Sequence, residues 1–171
     1  GRLFHQGMNR IVSLDAYNGA VLWSMEIPDL RRLNIAHDCA NWCADDNNLY
    51  LVVEETAWVV DAVSGQVNEY LQIPTNMRGS HQWGFLANEG EQLIGSSVRV
   101  GSNFKDFWGN SKWFDKVGDS LATTQVCSDS IFGYNKKDWQ GNWNYSEGTI
   151  INSSISLKNG SVYFLENRSK Q

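Results

Sequence analysis

The chain has 171 residues, of which 42% are hydrophobic and 19% charged. That is enough apolar content for a folded domain with a sizeable core, and too little charge for a disordered chain. A net charge of −5 without a basic stripe speaks against a nucleic-acid partner. No apolar run approaches the roughly 20 residues that a membrane-spanning helix needs. The first residues, "GRLFHQG", contain no initiator Met and no signal peptide, so the chain reads as a piece of a longer protein.

The first element is part of a repeat unit at residues 1–28, in which residues 3–28 read "LFHQGMNRIVSLDAYNGAVLWSMEIP". Short runs of β-branched and aromatic residues are separated by Asn- and Gly-bearing turns, the pattern of antiparallel strands. Displaced by 46 residues, the same pattern returns without a gap as "LYLVVEETAWVVDAVSGQVNEYLQIP", Leu49–Pro74. Leu3/Leu49, Asp15/Asp61, Ala16/Ala62, Gly19/Gly65, Val21/Val67, Ile27/Ile73 and Pro28/Pro74 are identical. A period in the forties belongs to propeller blades or to paired-helix repeats. No segment sustains a helical apolar stripe, so the repeat is all-β. The second unit, residues 38–74, is expected to hold four strands, at about 39–44, 48–53, 57–62 and 67–73.

The third unit, residues 83–146, ends in "IFGYNKKDWQGNWNY", which sets Trp143 over Trp23 and Asn135 over Asp15. Its turn reads Asp138-Trp139-Gln140-Gly141, so its Gly aligns with the others only after a shift. An insertion at about 98–125 interrupts this unit where the second has only "EET". A fourth unit is expected to begin within residues 149–168, since "KNGSVYFLE" is similar to "DDNNLYLVV". Asp at the head of each turn can accept backbone N–H groups, and Gly supplies the positive φ that such turns require. Asp15, Gly19, Trp23, Asp61, Gly65 and Trp143 are therefore read as structural residues of the repeat, the Trp rings packing on a neighbouring unit.

"LDAYNGAVLW" resembles the tryptophan-docking repeat of the PQQ-like (quinoprotein-type) β-propellers, whose units read Asp-Ala-x-x-Gly followed shortly by Trp. "VVDAVSGQVNEY" is similar but carries Glu69 where the Trp would stand. The resemblance covers Leu3 to about Arg168, the insertion excepted. It implies an all-β fold of four-stranded antiparallel blades: two near-complete blades flanked by two partial ones. It implies further blades of a parent propeller as partners, and by analogy a periplasmic or extracellular location. In this family PQQ lies against two neighbouring Cys, with Ca²⁺ held by Glu, Asn and Asp. No adjacent Cys pair occurs here, and no catalytic motif of the family maps onto the chain.

In a blade the first-to-second and third-to-fourth turns share one end, and the other loops share the opposite end. The first set is short throughout ("DDNN", "NEG", "KNG", "YNG", "VSG"). Every long segment belongs to the second set, as expected where loops carry function on a rigid frame. Arg31, Arg32, Asn34, His37 and Asp38 lie in one blade-to-blade connection, and Arg78, His81 and Gln82 lie at the next. Guanidinium groups suit an anion, and a His–Asp pair suits acid–base work, while the same residue types also bond the backbone of crossing loops. The insertion carries Trp108 and Trp113 among Phe104, Phe107 and Phe114. Those rings form either an aromatic wall for a ligand or the private core of a long loop. Trp83-Gly84 opens a strand and is expected to pack.

Three cysteines, Cys39, Cys43 and Cys127, with three scattered His do not make a compact zinc site, so no metal is expected, and the disulfide state stays open. The leading expectation is a non-catalytic propeller segment acting as a binding or protein-interaction scaffold, with a protein or small-molecule ligand on the long-loop face. Part of a PQQ/Ca²⁺-dependent oxidoreductase and a carbohydrate- or cell-surface-binding module are the alternatives.

Overall fold

Five successive apolar residues, Leu49–Val53, would be unusual in a strand with one wet face; here both faces are covered. In the computed structural model, which describes residues 1–7, 9–28, 30, 42–53, 55–100 and 127–168, Leu49 and Leu51 point to one neighbouring sheet. Tyr50 and Val52 point to the other. Alternation of side chains along a strand, combined with sheets stacked on either side, turns an apolar run into a central layer.

The layers are successive antiparallel blades. The first consists of β1 (Arg2–Gly7), β2 (Arg10–Asp15) and β3 (Val21–Glu26) in that order. The second runs β4 (Trp42–Ala44), β5 (Asn48–Val53), β6 (Thr56–Asp61) and β7 (Val67–Gln72). The third is built from β8 (His81–Glu89) and β9 (Gln92–Arg99), then, after the short β10 (Cys127–Ser128), from β11 (Ser130–Asn135) and β12 (Gly141–Tyr145). Beyond it, β13 (Thr149–Ile151) lies between β10 and β16 (Glu166–Asn167), while β14 (Ser156–Lys158) and β15 (Ser161–Tyr163) form a separate hairpin. The four strands expected in the second unit are thus present within three residues of their predicted bounds.

The repeat is exact in backbone terms. The last two strands of the three blades carry a register shift at the same place: Ser13/Leu14, Val59/Val60 and Gly133/Tyr134. Each turn then closes identically. Gly19 N–H donates to Asp15 O, Gly65 N–H to Asp61 O, and Trp139 N–H to Asn135 O, all at 2.8–2.9 Å. The head side chain caps the turn as an Asx motif, with Tyr17, Val63 and Lys137 N–H donating to Asp15, Asp61 and Asn135 at 2.8–3.0 Å.

The alignment of Asn135 over Asp15 and Trp143 over Trp23 holds in the third turn. No shift is needed: Gly141 pairs with Tyr134 at the start of the outer strand, as Val21 pairs with Leu14. The glycine position of the turn is held by Trp139, at φ 55°, where Gly19 and Gly65 have φ 73° and 75°. A bulky residue in the left-handed region costs about 1–2 kcal/mol, so packing must offset the strain. Trp139 packs edge-on against Tyr50 of the preceding blade, with ring centroids 6.2 Å apart, at the margin of the core between the second and third blades.

The first interface uses the opposite arrangement. Trp23 of β3 reaches the next blade, where its Nε1–H donates to Ala62 O at 3.1 Å. Its ring lies on Gly65, so closely that a Cβ there would sit 2.8 Å from the indole. Glu69 occupies the position of Trp23 in the second blade, opposite Val59 as Trp23 is opposite Ser13. Between the first two blades the aromatic comes from the outer strand; between the next two it comes from the turn.

Candidate functional site at the long-loop end

The short turns gather at one end. There Asp45 caps its own turn by accepting from Asn47 and Asn48 N–H, at 3.0 and 2.8 Å. Its second oxygen accepts from Tyr50 OH at 2.7 Å and from Lys136 Nζ of the third blade at 2.8 Å. Asn88 completes the cluster, donating to Ala44 O at 3.1 Å. Partial burial would raise the Asp45 carboxyl, but Lys136, Tyr50 and the two turn N–H groups outweigh it and hold the pKa down to about 2.

The unfolded carboxyl titrates near 3.9, so this stabilisation is fully present above about pH 4 and is lost as pH falls toward 2. A lysine paired with a partly exposed carboxylate is worth on the order of 1 kcal/mol after screening. Lys136→Met should therefore lower the denaturant midpoint at pH 7 and leave the variant and the parent nearly equal at pH 2. A gap unchanged across that range would refute the pairing as its source.

The opposite end carries the candidate site. β8 begins here with His81, β9 ends here with Arg99, and Asp129 stands between β10 and β11, so the three side chains converge. His81 Nε2 lies 3.0 Å from Asp129 Oδ2, and Arg99 Nε donates to the same oxygen at 2.9 Å. Ser80 Oγ is 2.8 Å from His81 Nδ1 and 3.2 Å from Met77 O. Burial would raise the Asp129 carboxyl, but the bonds from His81 and Arg99 prevail and lower it. The imidazole is largely enclosed while the Arg99 side chain is 78% exposed, so the cluster offers a fixed hydrogen-bonding floor with a cationic rim. With its Nε2–H turned to Asp129, His81 leaves Nδ1 facing Ser80. The Ser80 hydroxyl has a second acceptor in Met77 O, so the geometry serves orientation and anion binding better than nucleophile activation.

Below this floor lies a buried polar seam. Ser97 and Ser130 hydroxyls are 2.5 Å apart, Ser128 Oγ donates to Ser96 Oγ at 2.8 Å, and Ser128 also bonds Asn152. Ser96 in turn accepts from Phe85 N–H at 3.0 Å. Small side chains are required here: a Cβ on Gly84 would stand 2.2 Å from Val98. Fully bonded buried hydroxyls define one arrangement of β8, β9, β10 and β11 and so make the floor rigid.

Of the site residues expected from sequence, the structure brings His81 into this cluster. Arg78 is instead tied to its own chain, its Nε donating to Ile73 O at 3.3 Å. Gln82 is buried, and its Oε1 has no hydrogen-bond partner among the described residues. Trp83 packs as expected, donating to Glu55 O at 3.0 Å and stacking edge-on with Phe132. Arg31, Arg32, Asn34, His37, Asp38, Cys39, Trp108 and Trp113 lie outside the described residues. Ser80, Arg99 and Asp129 were missed. Asp129 is 48 residues from His81, beyond the insertion, and no spacing in the chain marks the pair.

The residues described do not fit PQQ with Ca²⁺. Cys43 and Cys127 lie in different sheets, in β4 and β10, and burial pushes the Cys43 pKa up to about 11 despite its bond to Asn88. Among the described residues no group of three His, Cys, Asp or Glu is placed to hold a metal.

No protein-family model matches the sequence, and no curated protein matches it. Solved structures do. The chain is similar to a quinohemoprotein alcohol dehydrogenase from Pseudomonas putida HK5, with TM-score 0.55 and 14% identity over 86% of this chain and 19% of that one. It is similar to a europium-containing methanol dehydrogenase, with TM-score 0.56 and 14% identity over 86% of this chain and 31% of that one. It is also similar to apo AztD from Citrobacter koseri, with TM-score 0.50 and 10% identity over 85% and 31%. The chain therefore has the fold of a PQQ-like β-propeller, as partial propeller of four-stranded antiparallel blades. It spans between about a fifth and a third of the length of these structures. No helix among the described residues is long and apolar enough to cross a membrane.

Proposed function

We propose that this chain is a non-catalytic segment of a PQQ-like propeller that serves as a binding scaffold, with a protein or small-molecule ligand received on the long-loop face. The observation that carries this reading is the His81–Asp129–Arg99 cluster. It stands on a rigid serine seam at the end where the blade connections and the 101–126 segment emerge, while the other end is occupied by short self-capped turns. Rigid strands that present polar groups at one end are a frame for loop-borne recognition.

Further blades of a parent propeller are the partners at the flanks. Leu3 is 56% exposed, whereas its repeat counterpart Leu49 is completely buried beneath the neighbouring strand and blade. A periplasmic or extracellular location is part of the same reading, as is the absence of a nucleic-acid partner.

The competing reading is part of a PQQ/Ca²⁺-dependent oxidoreductase. Titrating PQQ with Ca²⁺ into the longest chain that carries these residues, and following quinone absorbance and dye-linked alcohol oxidation, separates the two. The scaffold reading expects no uptake and no turnover. Stoichiometric uptake that is lost in His81→Ala would overturn it.

A further inference from the structure

The dipeptide Asn-Gly occurs twice in the chain, at Asn18–Gly19 and Asn159–Gly160. In this dipeptide the asparagine amide is open to attack by the next backbone nitrogen, because glycine has no Cβ to obstruct the approach. The fold treats the two copies differently. In the β2–β3 turn both reacting groups are held. Asn18 Oδ1 accepts from Ala20 N–H at 2.8 Å, and Gly19 N–H donates at 2.8 Å to Asp15 O, a neutral carbonyl that takes no proton. Asn159 and Gly160 form instead the two-residue loop of the β14–β15 hairpin, between the paired residues Lys158 and Ser161, with φ 53° and 73°. Asn159 is exposed, and its amide has no hydrogen-bond partner among the described residues. Gly160 N–H donates to a carboxylate oxygen of Glu89, the last residue of β8, at 3.2 Å. Among the described residues the two three-residue strands of this hairpin pair only with each other. An element so short opens locally before the sheets beside it, which supplies the rotation that brings Gly160 N to Asn159 Cγ.

We infer that Asn159 is a deamidation site, converted through a succinimide to aspartate and isoaspartate with the Glu89 carboxylate as base, while Asn18 is spared. Glu89 takes the proton of Gly160 N–H as that nitrogen bonds to Asn159 Cγ. The Cγ–Nδ2 bond then breaks, and ammonia leaves with the proton that Glu89 held, closing the ring. Water adds to one of the two ring carbonyls and opens it, giving aspartate or isoaspartate, whose backbone is longer by a methylene group. Only water is consumed, and no electron is transferred. Either product places a carboxylate beside Glu89 where a neutral amide stood, and isoaspartate also lengthens a tight turn. Both changes loosen the hairpin from the third blade, where Leu157, Val162 and Phe164 pack against Ile94 and Ile131. This chemistry lies at the short-turn end and is independent of any ligand on the long-loop face.

Incubating the folded chain at neutral pH and mapping its peptides by mass spectrometry at intervals measures both dipeptides in one molecule. Conversion at Asn159 should exceed that at Asn18 by about tenfold or more. Glu89→Gln keeps an acceptor for Gly160 N–H but cannot take its proton, and should slow Asn159 by about tenfold. In denaturant the two rates should converge, since the contacts that distinguish the dipeptides are gone. Equal rates in the folded chain, an unchanged rate in Glu89→Gln, or a difference that persists in denaturant would overturn the inference.

Discussion

Gly65→Ala should destabilise the protein by about 2 kcal/mol more than Gly19→Ala, read as separate denaturant midpoints with a common slope. The two glycines close the same turn in successive blades with φ 75° and 73°, so the backbone strain of an added Cβ, about 1–2 kcal/mol, is common to both. Their surroundings differ. Nothing lies within 4 Å of a Cβ on Gly19, while a Cβ on Gly65 would meet Trp23 at 2.8 Å. To make room the indole must rise, which breaks its bond to Ala62 O and opens the Ile11–Leu49–Val60 core beneath it. The pair of variants thus separates turn strain from blade docking. Equal losses at the two positions would mean that Trp23 contributes nothing across the interface.

A comparable effect is expected at the next interface. Trp139→Gly removes the strain of a left-handed Trp, about 1–2 kcal/mol, but deletes a large ring that packs on Tyr50, a loss of about 3–5 kcal/mol. The net cost should be about 2–3 kcal/mol. Glu69→Trp alone should also destabilise, by about 1–3 kcal/mol, because an indole at that position is directed to the place the turn Trp already fills. Together the two substitutions recreate the Trp23–Gly65 arrangement. The double variant should recover stability relative to the sum of the single losses, with a coupling energy above about 1 kcal/mol. Additive losses would show that Glu69 and Trp139 do not exchange roles.

This exchange explains why the third repeat was only partly legible. Asp15 and Asp61 with their glycines carry the turn in plain sequence, since Asx capping and positive φ restrict the residue types. Asn135 still caps its turn, but Trp139 takes the glycine position, and no propensity assigns a left-handed conformation to Trp. Asn135 and Trp143 therefore placed the turn in register, while its glycine had no counterpart in the sequence. The backbone bonds from Trp139 to Asn135 and from Asn135 to Gln140 close it all the same. Packing against Tyr50 outweighed a local preference, which sequence comparison with the other two turns could not reveal.

The candidate site divides in the same way. His81 was legible because it begins a strand at the loop-bearing end of a blade. Its partners were not, because Asp129 and Arg99 flank the long insertion and approach His81 only through the pairing of β8, β9 and β11. Lys136 and Asp45, 91 residues apart, are the same case at the opposite end.

What the amino-acid sequence determined by itself was the blade: strand length from β-branched runs, turn geometry from Asp and Gly, and two-sided burial from unbroken apolar stretches. These depend on interactions within a few residues, or on a period repeated along the chain. The tertiary structure decided which surfaces meet. It turned the Trp of one strand and the Trp of one turn into alternative locks between blades, and gathered His81 with Arg99 and Asp129. Each of these depends on the relative placement of separate sheets, where close packing and desolvation, acting between residues with no fixed spacing, choose the partners.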